Sequence, residues 1–197
     1  MFIELTDHLR CPSDHDEAFL VLLPEVLEGR SVRTGTLGCP VCDRRFVLRD
    51  GVLDTGDAPP LRPDAGPGRL TPAALAPLAG VNGPGGYLVL TGGPAGRWRE
   101  VASLVPGVGL VAVNPPREVA DEEGISVLRG GRLALKTSSM RGVVLGPPFG
   151  ADPAWVREAA RVVLPGLRVV GEGPDPAPDT VDLMASAGGV WVGTPRR

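Results

Sequence analysis

The rhythm of apolar residues along this chain changes near residue 70. Before it, apolar residues fall in an amphipathic lead over 2–9 and in short runs at 19–23, around 31–37 and at 46–48. Asp50-Gly51 then marks a turn, and Val52 and Leu53 are the last apolar residues before a break. Runs of this length bounded by Gly, Pro and Asp predict short strands. From Asp54 to Arg69 the chain is rich in Pro, Gly and Asp and has little to bury, which predicts a linker placed at 58–70.

Beyond the linker, short apolar runs alternate with helical stretches. Thr71-Pro72 reads as a helix start, with threonine as N-cap and proline at the first helical position, leading into 73–79. A buried strand is predicted over 86–90 and a helix over 97–104, followed by apolar runs at 110–113, 125–128, 143–145 and 167–170. Asp152-Pro153 opens the clearest helix, with Trp155, Ala159 and Val162 on one face, and Leu164-Pro165-Gly166 stops it. Trp155 and Trp98 read as helix-face packing rather than as base-stacking platforms. Strand, helix, strand in this order implies parallel pairing in an open, doubly wound α/β sheet.

Composition narrows the class without choosing a function. At 43% hydrophobic residues and a net charge of −3, the chain has the balance of an ordinary globular protein. Its longest apolar run, 18–23, is far short of the roughly 20 residues needed to cross a bilayer, and no basic-then-apolar leader opens it, so a cytoplasmic location is expected. Residues 1–57 carry 11 acidic and 6 basic side chains, and 58–197 carry 12 and 14. Neither part is a strongly basic nucleic-acid surface. The histidines are His8 and His15, and no Ser-His-acid or Cys-His pair for nucleophilic catalysis stands out.

The strongest chemical signal is the trio Cys11, Cys39 and Cys42. Cys39-Pro40-Val41-Cys42 is a Cys-x-x-Cys knuckle, and Cys11-Pro12-Ser13-Asp14-His15 supplies a second knuckle with one cysteine. Two such turns in neighbouring hairpins complete the tetrahedron that structural Zn²⁺ prefers. Either His15 or Asp14 could provide the fourth ligand. His15 is favoured, because imidazole is a common partner of thiolates and carboxylate oxygen is harder, with Asp14 then orienting it from outside. With no open coordination position, the expected role is structural.

Two resemblances add to this reading. The apolar lead, the Cys-Pro and Cys-Pro-x-Cys knuckles and the ending Phe46-Val47-Leu48-Arg49-Asp50-Gly51-Val52-Leu53 make residues 1–57 similar to the small zinc-ribbon family that includes the activator subunit of tRNA, rRNA and release-factor methyltransferases. At Asp14-His15 the chain departs from relatives, which usually carry a second cysteine there. Residues 71–197 resemble, in pattern, the Rossmann-like fold of S-adenosylmethionine (SAM)-dependent methyltransferases. The stretches that carry it are 158–170 (helix, Pro-Gly turn, fifth strand), 125–131 (third strand) and 141–145 (fourth strand).

The second resemblance implies a cofactor site at Leu90-Thr91-Gly92-Gly93-Pro94-Ala95-Gly96, with Gly92 and Gly96 approaching SAM and Asn114 meeting its ribose. Glycines after a strand serve equally well as turn formers. Where the family has acidic anchors this chain has Leu90, Asn114 and Gly131, and Pro94 replaces the middle glycine of the loop. Gly146-Pro147-Pro148-Phe149 lacks the polar residue that amino-group methyltransferases place before this proline pair, and it reads, like Asn114-Pro115-Pro116, as a rigid turn. The expectation is a zinc ribbon fused to a methyltransferase-like domain whose cofactor site has decayed, acting as scaffold or as partner of another protein such as a methyltransferase. The competing expectation is a working SAM-dependent methyltransferase with an atypical loop.

Overall fold

The computed structural model describes residues 1–59 and 68–196. Most of the expected linker lies at 60–67, outside the described residues. The first segment opens with a short 3-10 helix, Ile3–His8, and three antiparallel strands: β1 (Val21–Glu28), β2 (Ser31–Gly38) and β3 (Arg45–Arg49). Asp50 and Gly51 both take positive φ, 50° and 75°, as a two-residue hairpin turn requires, and fold β4 (Val52–Asp54) back onto β3. The pair Val52 and Leu53, the last apolar residues of the sequence reading, is therefore a strand. It was too short for a periodic pattern to declare it.

In the second segment Thr71 caps α1 (Pro72–Ala79) by accepting the Ala74 N–H at 3.2 Å, as the sequence predicts. Strand β5 (Tyr87–Thr91), a 3-10 turn over Gly93–Arg97, α2 (Trp98–Leu104), β6 (Gly109–Val113), β7 (Ile125–Arg129) and β8 (Met140–Leu145) follow. Asp152 caps α3 (Pro153–Val162), which gives way at Val163 to β9 (Val163–Glu172), so the Pro-Gly pair lies in an irregular part of a strand rather than at a helix stop. Gly188 and Gly189, at φ 61° and 76°, turn β10 (Val181–Ala187) into β11 (Val190–Pro195). This hairpin was missed in the sequence, although Gly-Gly before an apolar run is its signal.

All eleven strands join one mixed sheet in the order β1-β2-β3-β4-β7-β6-β5-β8-β9-β11-β10. The stretch from β4 through β7, β6, β5 and β8 to β9 is parallel, and the strands on both flanks are antiparallel. Side chains alternate across it. Leu88, Leu90, Leu110, Ala112, Ile125 and Val127 face α1 and α2, while Val89, Val111, Val113, Leu128, Val143 and Leu145 share the core on the α3 side.

No helix bridges β7 to β8. The lead segment covers that face instead, with Met1, Leu5 and Leu9 fully buried in the same core and the Ser126 Oγ of β7 accepting the Phe2 N–H at 2.9 Å. The Met1 amine lies 2.6 Å from the Asp121 carboxylate and donates to the Val32 carbonyl at 3.1 Å, and Arg33 reaches the same carboxylate at 3.0 Å. Burial pushes the amine's pKa below its ordinary value and the carboxyl's above, each against the pull of its partner. Gly51 is required here, because a Cβ on it would overlap the Asp121 carboxylate.

Removing one partner of a buried ion pair leaves the other uncompensated, which costs about 3–5 kcal/mol. Asp121→Ala is therefore expected to lower stability by about 3 kcal/mol, read from the urea midpoint; a loss indistinguishable from zero would mean that the pair does not anchor the lead.

Candidate metal centre and the carboxyl edge of the sheet

The first knuckle leaves the 3-10 lead at Leu9 and is held by the Cys11 N–H donating to the Ala18 carbonyl at 2.9 Å. The second is the β2–β3 connection, closed by Cys39 N–H to Arg44 O at 2.9 Å and Asp43 N–H to Cys39 O at 3.1 Å, with Asp43 at φ 57°. These turns bring the ligand atoms of Cys11, His15, Cys39 and Cys42 within 4.8 Å of one another. Cys11 Sγ lies 3.7 Å from Cys42 Sγ, and Cys39 Sγ lies 3.4 Å from His15 Nε2. Tetrahedral zinc with bonds of about 2.3 Å to sulfur and about 2.0 Å to nitrogen needs separations of about 3.8 and 3.6 Å, so the donor set fits that ion.

Asp14 stands outside this group. Its carboxylate pairs with Arg132, which also donates to the Pro12 carbonyl, so Asp14 ties the knuckle to the loop after β7. His15 is fixed instead by its own neighbour, with Nδ1 2.6 Å from the Asp16 carbonyl. An Nδ1–H donating there turns Nε2 toward the sulfurs, as in many metal-bound histidines. The Val41 N–H donates to Cys39 Sγ at 3.4 Å.

All three cysteines are free thiols. The backbone N–H of Arg44 is the largest influence on Cys42, whose thiol is pushed down to about 6, while burial pushes the Cys11 thiol up.

The expected cofactor residues lie at the carboxyl edge of the parallel strands, around the point between β5 and β8 where the strand order reverses. Ligands of open α/β sheets bind at such a point. Gly92 ends β5 at φ 70°, and a Cβ on it would stand 2.9 Å from the Phe149 ring. A Cβ on Gly146 would overlap the Pro94 ring, which is itself buried, and the Gly146 N–H donates to Thr91 O at 3.0 Å. Gly96 faces Pro116, whose Cγ lies 3.4 Å from where a Cβ would be.

Asn114 is 3% exposed, takes φ 47° and spends both ends of its amide on Gly130. Its Nδ2 donates to the Gly130 carbonyl at 2.8 Å, and its Oδ1 accepts the Gly130 N–H at 3.0 Å. Leu90 lies fully buried in the core with α1 and α2, and a Cβ on Gly131 would stand 2.9 Å from the Asp57 carbonyl. Phe149 packs edge-on against Trp155 with ring centroids 4.6 Å apart.

Sequence reasoning missed two buried carboxylates. Asp121 anchors the amine of Met1, and no local pattern marks it. Glu172, 3% exposed at the end of β9, accepts the N–H groups of Arg69 and Leu70 at 2.5 and 3.4 Å. Its signal is an acid directly after a buried strand run.

No protein-family model matches the chain, and no curated protein sequence matches it. Solved structures similar to it include several methyltransferases. They include one from Silicibacter pomeroyi (15% identity, 64% of this chain and 88% of that one, TM-score 0.43) and the antibiotic-resistance methyltransferase Kmr (14%, 63% and 92%, TM-score 0.42). A third is the protein assigned as a sarcosine dimethylglycine methyltransferase from Galdieria sulphuraria (17% identity, TM-score 0.41), of which this chain, matched over 51% of its own length, spans 44%. With TM-scores below 0.5, these likenesses transfer no activity to this chain. Among the described residues, no helix is long and apolar enough to cross a membrane.

Two outcomes test the metal centre. Purified protein is expected to carry one zinc per chain by elemental analysis. Cys39→Ser and His15→Ala should lose it and Asp14→Ala should keep it; loss in Asp14→Ala with retention in His15→Ala would reverse the assignment. After chelation at pH 7, iodoacetamide should label Cys42 before Cys11, read by peptide mass spectrometry, because Cys42 holds the larger thiolate fraction.

Proposed function

We propose that this is a non-catalytic, methyltransferase-like protein in which a zinc ribbon is built onto the edge of a Rossmann-like sheet, and that it serves as a scaffold or as the partner of a separate methyltransferase. The observation that carries this reading is the packing at the β5/β8 edge: the Pro94 ring sits against Gly146, and Phe149 against Gly92. A cofactor approaching Gly92 or Gly146 on the side of the missing Cβ would meet these rings. Asn114 supports the same reading, since a ribose hydroxyl would have to displace one of its two hydrogen bonds to Gly130.

The strand order from β7 to β10, read within the second segment as 3-2-1-4-5-7-6, is consistent with the methyltransferase layout that the sequence resembles. The ribbon's role follows from where it sits. Its last strand, β4, pairs in parallel with β7 through Val52–Val127, Leu53–Leu128 and Asp54–Arg129. Activator ribbons cover a methyltransferase surface by strand and apolar contacts, and here the contact is made inside one chain. A structural zinc ion held by Cys11, His15, Cys39 and Cys42 would brace the two knuckles and take no part in a reaction.

Calorimetric titration of the zinc-containing protein with SAM and with S-adenosylhomocysteine tests the reading. No heat of binding is expected up to millimolar ligand. Micromolar affinity for either would overturn it and establish the competing reading of a working SAM-dependent methyltransferase, in which Gly92, Gly96 and Asn114 rearrange around the cofactor.

A further inference from the structure

A second feature of the carboxyl edge starts at Gly131, one of the expected cofactor positions, and runs toward α3. Between the loop that follows β7 and the first two turns of α3 runs an open cleft of about 230 Å³, lined by Gly131, Arg132, Ala154, Trp155, Arg157 and Glu158. Its charge is one-sided once the pairing is followed. Glu158 is bound by Arg161 through two contacts, at 3.0 and 2.8 Å, and lies 3.6 Å from Arg10, so its charge is already matched. Arg132 reaches the cleft from one side while holding Asp14, an 84% exposed carboxylate, on the other. Arg157 comes from the helix and has no hydrogen bond or ion pair among the described residues. Gly131 places no side chain in the cleft, and the buried Trp155 forms part of its wall.

We infer that this cleft is a binding site for the phosphate group of a small molecule, held between the guanidinium groups of Arg132 and Arg157. Two guanidinium forks approaching from different elements match a dianion with three terminal oxygens, whereas a monocarboxylate satisfies one fork. The cleft is larger than a bare phosphate, which leaves space beside Trp155 for the body of the ligand. Asp14 is the built-in competitor: a bound phosphate takes over the part of Arg132 that Asp14 now engages, and so communicates with the first cysteine knuckle. The inference is independent of the cofactor reading, because inorganic phosphate is the probe and SAM carries no phosphate.

The test is titration of the zinc-containing full chain with inorganic phosphate, followed by ¹H–¹⁵N NMR at the Trp155 indole and at the Gly131 and Ala154 amides, with acetate as the comparison anion. Saturable shifts at millimolar phosphate are expected at these three groups, with acetate weaker. Arg157→Gln, which removes a side chain without a hydrogen-bond or ion-pair partner among the described residues, should weaken phosphate about tenfold, the loss of one charge-assisted contact. Asp14→Asn, which frees Arg132, should tighten it severalfold. Absent or non-saturating shifts at these groups, or equal affinity in all three proteins, would overturn the inference. Acetate binding as tightly as phosphate would overturn the assignment to a dianion.

Discussion

The ladder between β4 and β7 is the contact on which the rest of the architecture depends. Without it β7 would be the edge of a parallel sheet, and parallel strands are stable only when both faces and neighbouring edges are covered. Three residue pairs are a short ladder, but they are reinforced where they are weakest. Leu53 is fully buried, the Asp50-Gly51 turn brings Gly51 against Asp121, and the amine of Met1 lands on the same carboxylate. The lead that Met1 anchors then does the work of the absent β7–β8 helix by covering Val111, Val113 and Leu128. Edge pairing and face covering come from one segment, so the strands on either side of the β4–β7 ladder form one sheet.

The same economy explains the carboxyl edge. A sheet that binds a cofactor keeps its glycines clear so that a ligand can approach the backbone. Here Gly92 makes room for Phe149, Gly146 for Pro94 and Gly130 for the Thr55 hydroxyl. Buried glycine records a close approach without recording what approaches.

That distinction sets how much was legible beforehand. The runs that became β3, β5, β6, β7 and β8 could be read because each is centred on a short apolar cluster, and α1 and α3 because Thr71-Pro72 and Asp152-Pro153 are strong start signals. The candidate metal donors were legible because knuckle spacing is local, and His15 was favoured over Asp14 on ligand chemistry; that Asp14 is engaged by Arg132, more than a hundred residues away, was not legible. β4 was too short to register, and β1 lies further along than its apolar run suggested because Pro24 and two register shifts carry the strand on to Glu28. Asp121 could not be found at all: its role exists only where the amine of Met1, Arg33 and Gly51 converge.

The sparse burial of the first segment shows what a metal at the four donors would add. β1 buries none of its eight residues fully, and Phe19, Val21, Leu23, Val26 and Leu27 are all at least 46% exposed. The apolar burial that β1–β3 achieve comes from Val32, Leu37, Phe46 and Leu48, few side chains to order residues 21–49 against their conformational entropy. Contact with the sheet supports β4 and the lead, while the first knuckle is tied to the second segment by Arg132 on Asp14, by Thr137 and Arg161 on Glu17, and by the Arg10 N–H on the Ala134 carbonyl. Four soft donors within a few ångströms of each other would be a liability without an ion, since partial thiolates repel and a buried thiol gains nothing from its neighbours. With zinc they become a cross-link between residues 11 and 42, which removes loop-closure entropy where hydrophobic burial is scarcest. A zinc ion on these donors and the β4–β7 ladder would therefore act on the same segment from opposite ends, one fixing its tip and the other its base.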